Sequence, residues 1–269
     1  MTSLTTDDLF SVRGKVVLVT GGSRGIGEMM AAGFLANGAK VYISSRKADV
    51  CDATAARLSE TYGGECVSLP ADLSELDGID ALAAALGERE EGLYVLINNA
   101  GVSWGAPIDD FPEKGWDKVM DTNVKGVFFL TQRLLPLLEA AATAEDPARV
   151  INIGSIDGIR TPAFDTVSYG PSKAAVHAMT SQLASKLVKR NILVNAIAPG
   201  PFPTWMLSTG VGTGGDVEGT DWDAIGQGMP RGRVGTAEDI AGLAIFLASR
   251  AGAFTVGAVI TCDGGIVVS

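Results

Sequence analysis

The sequence of 269 residues predicts a doubly wound α/β fold, in which one parallel sheet is covered by helices on both faces. Three observations carry the prediction. Short β-branched runs recur along the chain and are nearly all apolar rather than alternating, the pattern of strands buried on both faces. Stretches with helical spacing separate them, as parallel crossovers require. A glycine cluster follows the first run and opens the first helical stretch, where open α/β sheets bind phosphate-bearing ligands.

In chain order, the predicted strands are Lys15–Thr20, Lys40–Ser44, Glu65–Leu69, Tyr94–Asn98, Arg149–Ile153, Ile192–Ala196 and Ala258–Cys262. The main helical stretches between them are Gly27–Asn37, Leu76–Leu86, Trp116–Leu138, Ser168–Val188 and Ala237–Ser249. Seven strands with intervening helices, no internal repeat and no linker-like shift in composition predict a single domain over residues 1–269. One segment breaks the rhythm. Residues 204–235 hold nine glycines and little periodicity, so they are expected to form a long loop with short helices at most. Loops of that length in a small domain usually serve as lids or binding loops. Phe202, Trp205, Met206, Leu207, Trp222 and Met229, in and just before it, suggest a lid over an apolar ligand.

Composition narrows the function. Apolar residues make up 46% and charged residues 19%, enough for a large core, and the net charge is −10. So acidic a surface repels nucleic-acid backbones and anionic lipid, which argues against both as partners. Three scattered cysteines suit neither a disulfide scaffold nor a zinc site, and a single histidine, His177, removes multi-histidine metal sites, so no metal is expected. The first ten residues show no apolar run of signal-peptide length, and the apolar stretch Ile240–Ile260 is interrupted by Arg250, Gly252 and Gly257. A cytoplasmic protein is expected.

Residues 20–27 read Thr-Gly-Gly-Ser-Arg-Gly-Ile-Gly. In such a loop Gly21 makes a tight turn, Gly25 lets a ligand approach the backbone and Gly27 lets the new helix pack on the strand. NAD sites place an acid about 20 residues beyond the glycines. Here that neighbourhood reads Ser44-Ser45-Arg46-Lys47, with no carboxylate before Asp49. Arg46, Arg24 and the serine hydroxyls suit a 2′-phosphate instead, so the expected cofactor is NADP.

Tyr169 and Lys173 are four apart at the start of a helical stretch and therefore share a face. Bringing a phenol of pKa about 10 to neutrality takes about 4 kcal/mol. An ammonium at ~4 Å supplies roughly that at an effective dielectric of about 20. Ser155, just beyond a strand's carboxyl end, is placed to donate to a carbonyl oxygen beside Tyr169. Asn98-Asn99-Ala100-Gly101 ends another strand. Asn123 interrupts a helical stretch, where its amide either holds a kink or a water or simply bonds a nearby carbonyl.

Taken together, Thr20-Gly-x-x-x-Gly-Ile-Gly27, Asp72, Asn98-Asn-Ala-Gly101, Asn123, Ser155, Tyr169-x-x-x-Lys173 and Pro199-Gly200 with Thr204 resemble the short-chain dehydrogenase/reductase family from Gly14 to Gly265. The resemblance implies a Rossmann-type sheet, Tyr169 as catalytic acid–base and Ser155 as stabiliser of the carbonyl oxygen. It further implies Lys173 on the nicotinamide ribose and Asn123 as anchor of a proton-relay water. The implied cofactor contacts are Gly21, Ser23, Arg24, Gly25, Ile26 and Gly27 in the glycine loop, with Ser45, Arg46, Asp72 and Leu73 at the adenosine. Asn99, Ala100, Gly101, Tyr169, Lys173, Pro199, Gly200, Phe202 and Thr204 complete them. Members of the family are commonly homotetramers or homodimers. Residues 103–106, 146–155, 169–175 and 198–203 are also similar to bacterial NADPH-dependent 3-oxoacyl reductases, including the rhamnolipid-pathway type.

Reduction of an apolar, 3-oxoacyl-like ketone is therefore the expected activity. A sugar or polyol dehydrogenase of the same family and a non-catalytic NADP-binding sensor remain as alternatives. A serine hydrolase is disfavoured because the sequence around Gly154-Ser155 is not G-x-S-x-G. His177 reads as a packing or helix-surface histidine.

Overall fold

The computed structural model describes residues 4–162, 164–210 and 214–269. The expected single domain and lid also include residues 1–3, 163 and 211–213, which lie outside the described residues. Seven strands form one sheet: β1 (Val16–Thr20), β2 (Lys40–Ser44), β3 (Cys66–Ser68), β4 (Val95–Asn98), β5 (Ala148–Ile153), β6 (Ile192–Pro199) and β7 (Val259–Cys262). All pair in parallel, in the order β3-β2-β1-β4-β5-β6-β7. The chain winds outward from β1 to β3, returns beside β1 as β4 and winds the other way. That reversal opens a crevice at the carboxyl ends of β1 and β4, where such sheets take ligands.

The helices are α1 (Thr6–Leu9), α2 (Gly25–Ala36), α3 (Ala48–Tyr62), α4 (Leu76–Gly87), α5 (Glu113–Met120), α6 (Gly126–Ala141), α7 (Tyr169–Leu187), α8 (Trp205–Gly210), α9 (Trp222–Gln227) and α10 (Ala237–Ala248). Successive residues of one strand feed opposite layers. Val17 and Val19 join Met30 and Phe34 of α2 and Ile240 and Leu247 of α10. Leu18 joins Leu82 and Leu86 of α4 and Leu130 and Leu134 of α6 on the other face. Each large apolar side chain so buried contributes about 1.5–3 kcal/mol, which explains why the strands carry no polar alternation.

Three elements differ from the sequence reading. The expected stretch from Trp116 to Leu138 is two helices joined by a π-helical turn, Asp121–Lys125, with Asn123 at its centre. α3 was not among the main predicted stretches: it buries only Cys51, Thr54, Ala55 and Leu58. β6 runs on to Pro199, carrying the chain to the crevice before the lid begins. Among the described residues, no helix is long and apolar enough to cross a membrane, and no cluster of three or more His, Cys, Asp or Glu side chains is disposed to hold a metal.

Candidate active site

The glycine loop is built as its sequence requires. Gly21 and Gly25 have φ of +64° and +57°, a region side chains disfavour. A Cβ on Gly27 would collide with the Gly21 carbonyl oxygen and Asn99 Nδ2. The β4 end locks this loop. Asn99 Nδ2 donates to the carbonyls of Thr20 (2.8 Å) and Gly21 (3.2 Å), while the Asn99 and Ala100 amides donate to the Thr20 hydroxyl at 3.0 Å. The Asn99 side chain, expected beside the cofactor ribose, is thus engaged in holding the loop. Ser23 is buried, and its carbonyl accepts the Thr54 hydroxyl at 3.2 Å. Ile26 packs against the core.

At the adenosine end, Arg46 is exposed and Ser45 half-buried after β2. Asp72 is exposed, with Oδ1 accepting the amide (3.0 Å) and hydroxyl (2.8 Å) of Ser74. Leu73 is buried, and a Cβ on Gly126 would press on its carbonyl oxygen at 2.5 Å. Arg46, Ser74 and Glu75 face Lys114, Asp117 and Lys118 of α5 across a cleft of about 540 Å³. Arg24 and Arg46 have no carboxylate partner within 4.0 Å among the described residues, so both guanidinium groups remain available to a phosphate.

The lid starts across the glycine loop. Thr204 caps α8 by accepting the Leu207 amide at 3.2 Å, and a Cβ on Gly25 would lie 3.1 Å from its methyl group. The Arg24 guanidinium stacks 4.9 Å from the centre of the Trp205 ring. Gly25 and Gly200 therefore admit close approach by protein atoms, Thr204 and the Asp263 backbone respectively. Gly200 also continues the pairing of Pro199 with Cys262, its amide donating to the Cys262 carbonyl at 3.0 Å. The Phe202 ring is buried in the core and fills the space beside Gly235, beneath the segment expected to form the lid. Trp205 and Met206 are the exposed apolar residues of α8.

The reactive groups meet where β5 ends and α7 begins. The Ser155 hydroxyl lies beside the Tyr169 phenol and accepts the Asp157 amide at 3.1 Å. Lys173, one turn along α7, is buried, and its Nζ donates to the Ile153 carbonyl at 2.8 Å. A Cβ on Gly101 would sit 3.4 Å from both that Nζ and Asn123 Oδ1, so this glycine leaves room for the ammonium. Asn123 is fully buried. Its Oδ1 accepts the Val102 amide (2.9 Å), and its Nδ2 donates to the Val102 carbonyl (2.9 Å) and the Ser172 hydroxyl (3.0 Å). Ser172 in turn donates to the Tyr169 carbonyl at 2.7 Å. Asn123 thus ties the π turn, the β4 loop and the start of α7 together. Both its N–H groups are used by Val102 and Ser172. π turns recur at functional sites, as this one does.

The electrostatics depart from the expectation drawn from spacing. Lys173 Nζ is 5.6 Å from the centre of the Tyr169 ring. Burial first, and then the charge of Asp157, push the phenol above its ordinary value, while the Ser155 hydrogen bond pulls the other way. Burial lowers Lys173 to about 8. Lys173 is not among the groups that shift the phenol. Asp157 and Ser172 were missed by sequence reasoning, since one reads as a loop acid and the other as a helix serine. Position two residues beyond Ser155 and the x-x-x between Tyr169 and Lys173 were the only signals for them.

A family model described as Enoyl-(Acyl carrier protein) reductase matches residues 21–267. The rhamnolipids biosynthesis 3-oxoacyl-[acyl-carrier-protein] reductase of Pseudomonas aeruginosa is 50% identical over 256 residues, 95% of this chain and 97% of that one. The chain belongs to the short-chain dehydrogenase/reductase family. In this oxidoreductase family, the Gluconobacter oxydans gluconate 5-dehydrogenase is 37% identical, covering 97% of this chain and 98% of its own. A solved structure described as the Pseudomonas aeruginosa RhlG/NADP active-site complex superposes with a TM-score of 0.89 at 48% identity, covering 97% of this chain and 99% of that one. These short-chain dehydrogenase/reductase relatives span nearly the whole chain, lid included.

Proposed function

We propose that the protein reduces an apolar ketone of the 3-oxoacyl class to a secondary alcohol with NADPH. The observation that carries this reading is Tyr169 at the start of α7 beside Ser155, with the Lys173 ammonium buried one turn away and donating to the Ile153 carbonyl. Reduction needs a proton donor, and a phenol raised above its ordinary value by burial can serve as one. Ser155 polarises the carbonyl by donating to its oxygen, and Tyr169 delivers the proton to that oxygen as charge develops on it. NADPH, when bound, supplies the hydride received by the carbonyl carbon. Lys173 keeps a positive charge beneath the reacting oxygen, anchored by the Ile153 carbonyl. Asn123 and Ser172 fix the start of α7, and the lid residues from Thr204 to Leu207 exclude water from the glycine-loop side.

The residues fit the cofactor. Gly21 and Gly27 hold a loop that side chains would fill, the N–H groups at the start of α2 are aimed at an anion, and Arg24 and Arg46 offer unpaired cations. The RhlG/NADP complex supports the same choice. Arg46→Asp is expected to raise the KM for NADPH at least tenfold while changing that for NADH by less than threefold. Equal changes in the two would remove Arg46 from phosphate recognition.

The 3-oxoacyl assignment draws on the Pseudomonas aeruginosa reductase and on the exposed apolar residues Ile159, Phe164, Trp205 and Met206 in the segments beside Ser155, Tyr169 and the glycine loop. The gluconate 5-dehydrogenase relative favours a polyol or sugar acid instead. The acidic segment with Asp216, Glu218, Asp221 and Asp223 disfavours a sugar carboxylate and an acidic acyl-carrier protein alike, whereas Arg160, Arg231 and Arg233 could hold a carrier's acidic groups. NADPH oxidation with 3-oxoacyl thioesters, 5-ketogluconate and simple ketones decides between these. Turnover of the thioesters alone supports the proposal, and cofactor binding without any turnover indicates a sensor. The rate of reduction is expected to fall above about pH 8 as Lys173 loses its proton. A rate unchanged to pH 10 would show that the ammonium is not needed. We further propose a cytoplasmic homotetramer assembled through α6 and α7, for which the exposed Phe128 of α6 supplies apolar contact. Light scattering on the purified protein tests that assembly.

A further inference from the structure

His177, the chain's one histidine, lies two turns beyond Tyr169 on α7. Its ring occupies the space that two glycines leave around Ser155. A Cβ on Gly154 would collide with its Nε2, and a Cβ on Gly158 would lie 2.8 Å from its Cε1. Nε2 is buried and has no hydrogen-bond partner. An unpaired buried nitrogen is costly unless something else holds it there. Here the packing on both sides of the Ser155 turn does so, and Ser155 is the residue that sits beside the Tyr169 phenol.

We propose that His177 is a positioning residue for Ser155: its neutral ring braces the turn from Gly154 to Gly158, and protonation of that ring removes the brace and halts the reaction in acid. The inference rests on the ketone-reductase reading above. The charged form is disfavoured for two local reasons. A proton on Nε2 would point an N–H at Gly154 with no acceptor, and the new cation would sit one turn from the Lys173 ammonium. Burial, and then Lys173, accordingly hold the imidazole below its ordinary value. The titratable or charged groups on the elements packed against α7 are Asp157 on the turn after β5, Asp121 and Lys125 on the π turn, Glu113, Lys114, Asp117 and Lys118 on α5, Arg149 on β5, and Lys189 and Arg190 after α7. Tyr169, Lys173 and Lys186 lie on α7 itself, Arg160 follows the turn after β5, and β6 supplies none.

The pH sign follows from linkage. The folded protein favours the neutral ring, so stability from this group is present above the unfolded histidine pKa of about 6.5 and is lost as pH falls below it. Asp157, whose carboxyl is pushed up by burial, works in the opposite direction. Substituting His177 alone therefore isolates its part.

Three measurements test the proposal. NMR titration of the ring-labelled protein follows a single imidazole. Its midpoint is expected below 6.5, and a midpoint at or above 6.5 would overturn the buried neutral brace. In the second, kcat of the parent protein is measured from pH 5 to 8 beside His177→Asn. The parent is expected to lose turnover towards pH 5 in step with the ring protonation seen by NMR. The variant should have a severalfold lower kcat at pH 7.5, an unchanged KM for NADPH and a flat profile. Superimposable profiles overturn the proposal. In the third, Gly154→Ala should lower kcat at least tenfold by colliding with the ring, and Gly154→Ala combined with His177→Ala should recover a good part of that loss. A double variant no better than Gly154→Ala alone overturns the wedge. If the parent reduces no ketone at all, the functional reading fails, while the NMR midpoint still decides for the histidine.

Discussion

Tyr169→Phe is expected to lower kcat for ketone reduction by about 10²–10⁴-fold, the usual contribution of a positioned general acid, while NADPH affinity changes less than threefold. The substitution deletes one oxygen from a ring held in place by its own helix turn. Ser172 donates to the Tyr169 backbone carbonyl, and Asn123 donates to Ser172, so neither contact depends on the phenol. Ser155 loses a partner but keeps the Asp157 amide. The loss should therefore fall on proton delivery and leave the fold alone. Stopped-flow fluorescence of NADPH binding beside steady-state turnover separates the two. Full turnover in the variant would refute the assignment of Tyr169 as proton donor.

Gly27→Ala is expected to weaken NADPH binding at least tenfold and to lower Tm by roughly 5–10 °C. One methyl group suffices because its neighbours cannot yield. The Gly21 carbonyl oxygen is backbone, and Asn99 Nδ2 is fastened to the carbonyls of Thr20 and Gly21. The start of α2 must move outward, breaking that clamp. Overpacking of this kind costs about 1–3 kcal/mol, and for a domain of this size each kcal/mol is worth about 2–4 °C. Gly87→Ala, at the exposed end of α4 with nothing within 4 Å of the added carbon, is the control and should not lower Tm. Equal effects of the two would mean that the loop tolerates side chains. Differential scanning fluorimetry and cofactor titration give both readouts.

Much of this site was legible from residue types in order. The glycine loop, Ser155, Tyr169 and Lys173 occupy strand ends or the first turn of a helix, and in a parallel sheet all strand carboxyl ends share one edge. Knowing the strands was therefore enough to bring those residues to one crevice. The absence of an acid after β2 was likewise readable, because it depends on a single short segment. The roles of amides were not. Asn99 and Asn123 look alike in sequence, as polar residues near a candidate site, yet their partners come from β1, α7 and the β4 loop. Such partners lie 21 to 79 residues away, and spacing along the chain carries no information about them.

What the sequence determined alone was the sheet, its two apolar layers and the order of reactive residues along one edge, because burial on both faces and helical periodicity are local patterns. Only the tertiary structure decided the protonation of the site. Tyr169 and Lys173 are one turn apart in any helix, and that spacing suggested a phenol brought down by its neighbour. In the folded protein burial, and then the charge of Asp157, push the phenol up, and Lys173 is not among the groups that shift it. Desolvation depends on everything that surrounds a group, and none of that is written in the interval between two residues.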